Sequence, residues 1–287
     1  MKFLLKVFAA LIFSAYCGIA FSGQFLVMDS HTTSMCGDYS IDYSGRIETG
    51  DSDRLKKILE GFVAKHGKDD CLRGWTSIRL FSDGGDVLEA IKLGKLIRSH
   101  HLRAIVPLPA ECNSSCVLVF AAAIRKDAPG KVGVHRPFFS NLDKNQSLSD
   151  IKNRRDQLTE VLRSYFNEID IPHSLIDVML STPPEKIKYL TEDELKIYRL
   201  DGVDASFDEW QTAKTASNYG MTSSEYRTKN QVFSRLCQRD NGLDLACHEA
   251  RMRGISTNEL KRRYELANKN CGDKPSEYCI LKYLKNQ

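Results

Sequence analysis

The segment Glu111 to Ala123 reads Glu-Cys-Asn-Ser-Ser-Cys-Val-Leu-Val-Phe-Ala-Ala-Ala, a polar opening followed by an uninterrupted apolar run. This pattern predicts a buried helix whose first turn faces a cleft. A helix N-terminus carries unpaired backbone N–H groups and a partial positive charge. A serine placed there has anion donors beside its hydroxyl, as acyl transfer requires. The simpler interpretation is that Asn113, Ser114 and Ser115 only cap the helix.

Strands and helices alternate on both sides of this segment. Alternating apolar and polar residues predict strands, and apolar residues at i, i+3 and i+4 predict helices. The alternation favours an α/β fold with a mostly parallel sheet, whose functional residues collect at the carboxyl ends of the strands. The predicted strands are residues 39–47, 76–81, 102–107 and 131–135, and the helices between them are residues 55–63 and 87–99.

The second half of the chain is predicted to be mostly helical, beginning with a long charged helix over residues 147–168. From about residue 207 the sequence is polar, helix-forming and contains four cysteines. We therefore expect an α/β domain over residues 23–206. A helical region over residues 207–287 would follow, made of two or three short helices held by two disulfides.

Residues 1–22 have the features of a secretory signal: basic residues at the start, an apolar run, and the small residues Ala20 and Ser22 before the cut. We expect a periplasmic or secreted protein, with no membrane span once the signal is removed. An uncleaved N-terminal anchor is the alternative, because the apolar run is near the lower limit for a span. The bulky Tyr16 disfavours a lipoprotein anchor at Cys17.

Charge and motifs exclude several classes of partner. The formal charge of +4, from 41 basic and 37 acidic residues, points to no particular ligand. No basic stripe with interleaved aromatic residues suggests nucleic acid. The Walker spacing is absent and the dinucleotide fingerprint is incomplete. We therefore expect no nucleic-acid partner and no cofactor.

The cysteine count predicts disulfides. Removal of the signal would leave eight of nine cysteines, an even set in an exported chain. On a regular helix Cys112 and Cys116 would share a face, which favours a bridge between them; the alternative is that Cys116 is a buried small hydrophobe. Cys36 and Cys71 flank the first strand–helix unit and predict another bridge. The spacings lack a second nearby ligand pair, so we expect no metal site. The disulfide candidates are Cys36, Cys71, Cys112, Cys116, Cys237, Cys247, Cys271 and Cys279.

Two further features accompany the serine segment. The sequence Ser-Asp-Gly-Gly ending at Gly85 follows a predicted strand, and its glycines let the backbone turn sharply and present N–H groups to a ligand. An ordinary strand–helix turn is the simpler interpretation. His135 ends a later strand, and an isolated histidine is more often structural. Taken with Ser114, the three features fit a nucleophile, a base and an oxyanion donor in one cleft.

These residues carry a family resemblance. The segment from Ile78 to Gly85 resembles the strand and Gly-Gly turn of Clp-type serine peptidases, with Asp83 where that family usually has proline. Ser114 with the apolar run after it resembles the nucleophile helix. Val-Gly-Val-His-Arg-Pro around His135 resembles the histidine strand, and residues 41–47 resemble the opening strand. The resemblance covers roughly residues 37–205 and, with the export signal, is similar to predicted periplasmic Clp-like proteins of bacteria.

The resemblance implies a ClpP/crotonase-like βαβ spiral core and a set of functional residues. Ser114 would be the nucleophile, His135 the general base, and the backbone N–H groups of Gly85 and Ser115 the oxyanion hole. Ser115 is the competing nucleophile, and a cysteine nucleophile is a minor alternative. The resemblance also implies a peptide or protein substrate and a homo-oligomer.

The family's histidine-orienting aspartate has no counterpart here. The aligned position is about Ile187, and Glu185 is the nearest carboxylate. A Ser–His dyad, a triad completed by Glu185, and a site that has lost activity all remain open. A histidine without its carboxylate can lose on the order of 10⁴ in rate.

Three functions follow from these features. The first is an exported serine hydrolase, a peptidase that acts without ATP. The second is a non-catalytic binding or assembly module that kept the fold, because fold alone does not give function. The third, acyl-CoA chemistry on the related crotonase fold, is disfavoured by export because CoA is a cytoplasmic cofactor.

Overall fold

The computed structural model describes residues 23–30, 38–66, 76–138, 147–272 and 277–284. Chain contacts divide it into two compact units, the first ending at Asp204 and the second beginning at Ala205. The predicted signal over the first 22 residues and the predicted bridge between Cys36 and Cys71 lie outside the described residues.

The strands of the first unit form two sheets. They are β1 (Gln24–Ser30), β2 (Asp38–Ser44), β3 (Ser77–Phe81), β4 (Arg103–Ile105), β5 (Glu111–Asn113), β6 (Arg125–Asp127), β7 (Lys131–Val134), β8 (Lys188–Tyr189) and β9 (Gly202–Val203). The main sheet has the order β1-β2-β3-β4-β6-β9, in which only the two edge strands pair antiparallel. The smaller sheet has the order β5-β7-β8, with β5 and β7 parallel. The unit is therefore mixed α/β with a mostly parallel central sheet, which confirms the predicted class.

Helices cover the main sheet. They are α1 (Asp51–His66), α2 (Val87–Ser99), α3 (Cys116–Ala121), α4 (Leu148–Glu168), α5 (Ser174–Ser181) and α6 (Glu192–Ile197). Every residue of α3 is buried, because the apolar run has no polar face to turn toward water. Tyr165 of α4 packs against it and donates its hydroxyl hydrogen to the carbonyl oxygen of Leu118. A capping box at Thr191, with Glu194 as its second member, begins α6.

The predicted helix over residues 111–123 is wrong at its polar end. Glu111–Asn113 is strand β5, and the helix begins only at Cys116. The backbone explains the difference. The N–H of Asn113 donates to the carbonyl of Ser82, and the N–H of Ser82 donates to the carbonyl of Glu111. The end of β3 therefore satisfies these main-chain groups of β5. A helix over residues 111–113 would not form these hydrogen bonds.

The second unit is helical, with five described helices where the sequence predicted two or three. They are α7 (Ala205–Asn218), α8 (Ser223–Leu236), α9 (Leu245–Arg253), α10 (Thr257–Cys271) and α11 (Glu277–Leu284), with the hairpin β10 (Gln238–Arg239) and β11 (Gly242–Leu243) between α8 and α9. Caps divide the polar stretch more finely than its composition suggests: Ser256 caps α10 as predicted, and Gly254 ends α9 in the left-handed conformation. Disulfides join Cys237 to Cys247 and Cys271 to Cys279.

None of the helices in the described ranges is both long and apolar enough to cross a bilayer.

Two helical glycines provide a matched test of the packing. A Cβ on Gly94 would collide with the Tyr165 hydroxyl, whereas a Cβ on Gly61 of α1 would meet nothing within 4 Å. We expect Gly94→Ala to lower the free energy of unfolding by about 1–3 kcal/mol through overpacking. Gly61→Ala should raise it by about 0.5–1 kcal/mol, because alanine favours a helix interior. Urea unfolding of both variants measures this, and equal effects would contradict the packing of α4 on α2.

Candidate active site

A cavity of about 860 Å³ opens where the ends of several strands meet. The residues that line it come from the turn after β2, the turn after β3, the serine segment, the strand β7 end and α4. Among them are Ile47, Gly85, Ser114, His135, Phe138 and Leu158. Three of the four residues assigned from the sequence to the nucleophile, base and oxyanion roles thus share one cavity. The fourth, Ser115, is buried beside it.

Ser114 occupies a tight turn between β5 and α3. Its φ is +57°, a left-handed conformation that is uncommon for residues other than glycine. Its N–H donates to the carbonyl of Gly133 at 2.8 Å, so the turn is fixed to β7. The side chain is half-buried and lines the cavity. A strained turn that presents a serine to a cleft is a frequent arrangement at functional sites.

The glycine turn lies directly against this serine. A Cβ on Gly84 would come within 2.8 Å of Ser114 Cβ and 2.9 Å of the Ser115 nitrogen, so only glycine permits the approach. A Cβ on Gly85 would collide with the carbonyl of Ile47. The N–H of Gly85 donates to the Ser115 hydroxyl oxygen at 2.7 Å. One proposed oxyanion donor therefore already has an acceptor.

His135 follows β7 and is 7% exposed. Its Nδ1 lies 3.0 Å from the carbonyl oxygen of Arg136. Because a carbonyl oxygen can only accept, this contact is a hydrogen bond when Nδ1 carries the proton. The neutral ring then has its lone pair on Nε2, the nitrogen that a general base would use. No hydrogen bond joins the ring to the Ser114 hydroxyl within the described part of the chain.

Glu185 does not meet His135. It is exposed in the turn after α5, outside the cavity lining, and the described residues include no hydrogen bond or ion pair between the two. Val134 pairs with Lys188 across β7 and β8, and the ladder ends at this pair. Beyond it the N–H of Arg136 donates to the carbonyl of Thr182, so the chain on either side of Glu185 is held away from a continued β8 pairing.

A polar network anchors the residue before Ser114, and the sequence analysis missed it. The Asn113 amide, 1% exposed, donates to Asp83 at 3.3 Å and to Glu111 at 3.1 Å. Glu111 also accepts from the Tyr189 hydroxyl and from the Lys131 ammonium. These donors, the tyrosine hydroxyl first among them, lower the pKa of Glu111 to about 2. The network ties β5 to β7 and β8 beside the serine turn.

Cys112 and Cys116 form the disulfide that the sequence favoured, with 5.3 Å between their Cα atoms. The helical reason for expecting it is wrong, because Cys112 lies in β5 and Cys116 begins α3. The turn at Ser114 itself brings the two residues together. Both are fully buried, and in the bridged form neither sulfur is a thiolate nucleophile.

Within the described ranges no group of three or more His, Cys, Asp or Glu side chains is placed to hold a metal ion.

The comparisons with known proteins show a distant likeness among solved structures. No protein-family model and no curated protein matches the sequence. Among solved structures, a substituted form of the 1510-N membrane-bound stomatin-specific protease is 14% identical, with a TM-score of 0.41. The match covers 61% of this chain and 82% of that one. The function proposed below therefore rests on the residues around Ser114.

The backbone of Ser114 can be tested apart from its hydroxyl. Glycine adopts a φ of +57° freely, whereas alanine pays a steric cost there. We expect Ser114→Gly to be more stable than Ser114→Ala by about 1 kcal/mol, a difference that denaturant unfolding would measure. Alanine equal to or better than glycine would mean that the turn is not left-handed in solution.

The network at Glu111 predicts a measurable titration. Tyr189→Phe removes the first of its donors and should raise the pKa of Glu111 from about 2 toward 4.5. The pKa of Glu111 is lower in the folded protein than in the unfolded chain, so its carboxylate stabilises the fold at pH values above the unfolded pKa of 4.5. This stabilisation is lost as the pH falls from 4.5 to about 2. Carboxyl ¹³C NMR of wild type and variant reports the change, and an unshifted Glu111 would exclude the tyrosine contact.

Proposed function

We propose that this protein is a serine hydrolase with a ClpP/crotonase-like core, a peptidase that acts without ATP. The observation that carries the proposal is the arrangement at the cavity. Ser114 stands on a left-handed turn between a strand and a fully buried helix, and His135 lines the same cavity with the glycine turn. Nucleophile, base and anion donors within one cleft are the components of acyl transfer.

The reaction follows from these components. The Ser114 hydroxyl attacks the carbonyl carbon of the substrate while Nε2 of His135 takes its proton. The oxyanion accepts hydrogen bonds from the N–H groups of Gly85 and Ser115, whose positions the backbone fixes. His135 then gives the proton to the leaving amine, and water hydrolyses the acyl-enzyme by the same steps in reverse.

The main-chain carbonyl of Arg136 takes the orienting role that a carboxylate has in a triad. It accepts from Nδ1 and so favours the correct tautomer. A neutral carbonyl stabilises the imidazolium less than a carboxylate does, because it carries no full negative charge. We therefore propose a Ser–His dyad with modest turnover.

The setting of the reaction is part of the proposal. The chain would act in the periplasm or after secretion, on peptides or proteins. The three described disulfides are consistent with an oxidising compartment. We also propose that the protein self-associates into rings, as Clp-type peptidases do.

A second candidate function is a binding or assembly module without catalysis. The specific observation in its favour is that Gly85 N–H is already bonded to the Ser115 hydroxyl. In this alternative the cavity would bind a peptide without cleaving it.

Labelling with a fluorophosphonate probe separates the two functions. We expect the oxidised wild type to be labelled, and Ser114→Ala and His135→Ala to lose labelling by at least 100-fold, because they remove the nucleophile and its base. Glu185→Gln should retain it, because that side chain is exposed and does not contact the histidine. Ser181→Ala, which removes an exposed hydroxyl at the end of α5, is the matched serine control.

The opposite results would be equally clear. Absent labelling of a wild type whose circular dichroism is native would overturn the hydrolase proposal and favour the binding module. Labelling that survives in Ser114→Ala and disappears in Ser115→Ala would move the nucleophile to Ser115. Loss in Glu185→Gln would restore a triad.

A further inference from the structure

The Ser115 hydroxyl lies where the substrate oxyanion is expected to bind. Its oxygen accepts the N–H of Gly85 at 2.7 Å, and the residue is 2% exposed. The oxyanion hole of the proposed reaction consists of this N–H and the backbone N–H of Ser115 itself. The Ser115 hydroxyl is therefore hydrogen-bonded to the N–H of Gly85, which is the other proposed oxyanion donor.

We propose that Ser115 is a built-in competitor for the oxyanion site, so that the resting site is capped and reacts only after its side chain rotates away. This inference rests on the proposed hydrolase function and concerns the regulation of the same site. The contact with the Gly85 N–H requires the Ser115 hydroxyl. An alanine at position 115 would leave the backbone N–H groups available to the oxyanion.

The cap is held by one described hydrogen bond. Within the described residues the Ser115 hydroxyl accepts from Gly85 and donates to no other group. Rotation about its single side-chain torsion passes between staggered positions, so no backbone movement is needed to open the site. A single neutral hydrogen bond shifts such an equilibrium by a factor of about 2–10.

The backbone around the cap is fixed while the side chain turns. Gly84 packs against the Ser115 nitrogen, and Gly85 is held against Ile47. The two donors therefore keep their places when the hydroxyl leaves. Activity then scales with the fraction of molecules whose Gly85 N–H is unoccupied, since only these are competent.

The same hydrogen bond also fits an opposite role for Ser115. The two roles predict opposite changes in the reaction rate when the hydroxyl is removed. If the Ser115 hydroxyl passed its own hydrogen to the oxyanion while accepting from Gly85, its removal would slow the reaction. The sign of the rate change in Ser115→Ala distinguishes the two roles.

The rate of fluorophosphonate labelling at Ser114 tests the cap. In this reaction the Ser114 oxygen forms a bond to phosphorus, fluoride leaves, and His135 takes the serine proton, while the phosphoryl oxygen occupies the oxyanion hole. We expect Ser115→Ala to be labelled about 2–10 times faster than wild type. The double variant Ser114→Ala/Ser115→Ala should not be labelled, which shows that the gain is at Ser114. Ser99→Ala, at an exposed serine of α2, is the control for an unspecific effect.

A second measurement observes the cap without any reaction. The amide of Gly85 should be protected from hydrogen exchange in wild type and lose that protection in Ser115→Ala, with the amides of the α2 interior unchanged. An unprotected Gly85 amide in wild type would overturn the inference whatever the labelling shows.

The outcomes separate this inference from the proposed function. Labelling at Ser114 that is unchanged or slower in Ser115→Ala overturns the cap and leaves the hydrolase intact. Labelling of neither protein overturns the hydrolase and, with it, the cap as a control of reactivity.

Discussion

The site depends on a backbone contact among three segments of the chain. The carbonyl of Gly84 accepts the N–H of Ile47 at 2.9 Å, and the carbonyl of Ser82 accepts the N–H of Asn113 at the same distance. The glycine turn therefore lies between the strand that precedes α1 and the strand that leads into Ser114. Side chains on these glycines would fill the space that the neighbouring backbones occupy. Ser114 and the cavity owe their places to this contact.

Much of this arrangement could be predicted from the sequence because it follows general rules. Parallel strands bring their carboxyl ends together, so Gly85, Ser114 and His135 were expected at one cleft. The boundaries of α2 were also predicted, since apolar periodicity marks them. These signals are local, or depend only on the order of strands.

The parts that were missed are contacts between distant residues. Strand β5 has only three residues, which pair with β7 on one side and with Ser82, 30 positions before Cys112, on the other. Tyr189 reaches Glu111 across 78 residues, and no local pattern announces that pairing. The bond from Gly85 to the Ser115 hydroxyl depends on one rotamer, which a sequence does not specify. Sequence reasoning therefore brought Gly85, Ser114 and His135 to one cavity but did not predict the hydrogen bonds around them.

The described disulfides have a consequence for how the chain folds. Each joins cysteines that are neighbours in sequence order, at separations of 4, 10 and 8 residues. Closing such short loops costs little chain entropy, and each loop is complete before the rest of the chain is needed. Oxidation that proceeds from the N-terminus as the polypeptide emerges would join the native partners of these six cysteines in turn. Their connectivity can thus be reached without the reshuffling that long-range pairing demands.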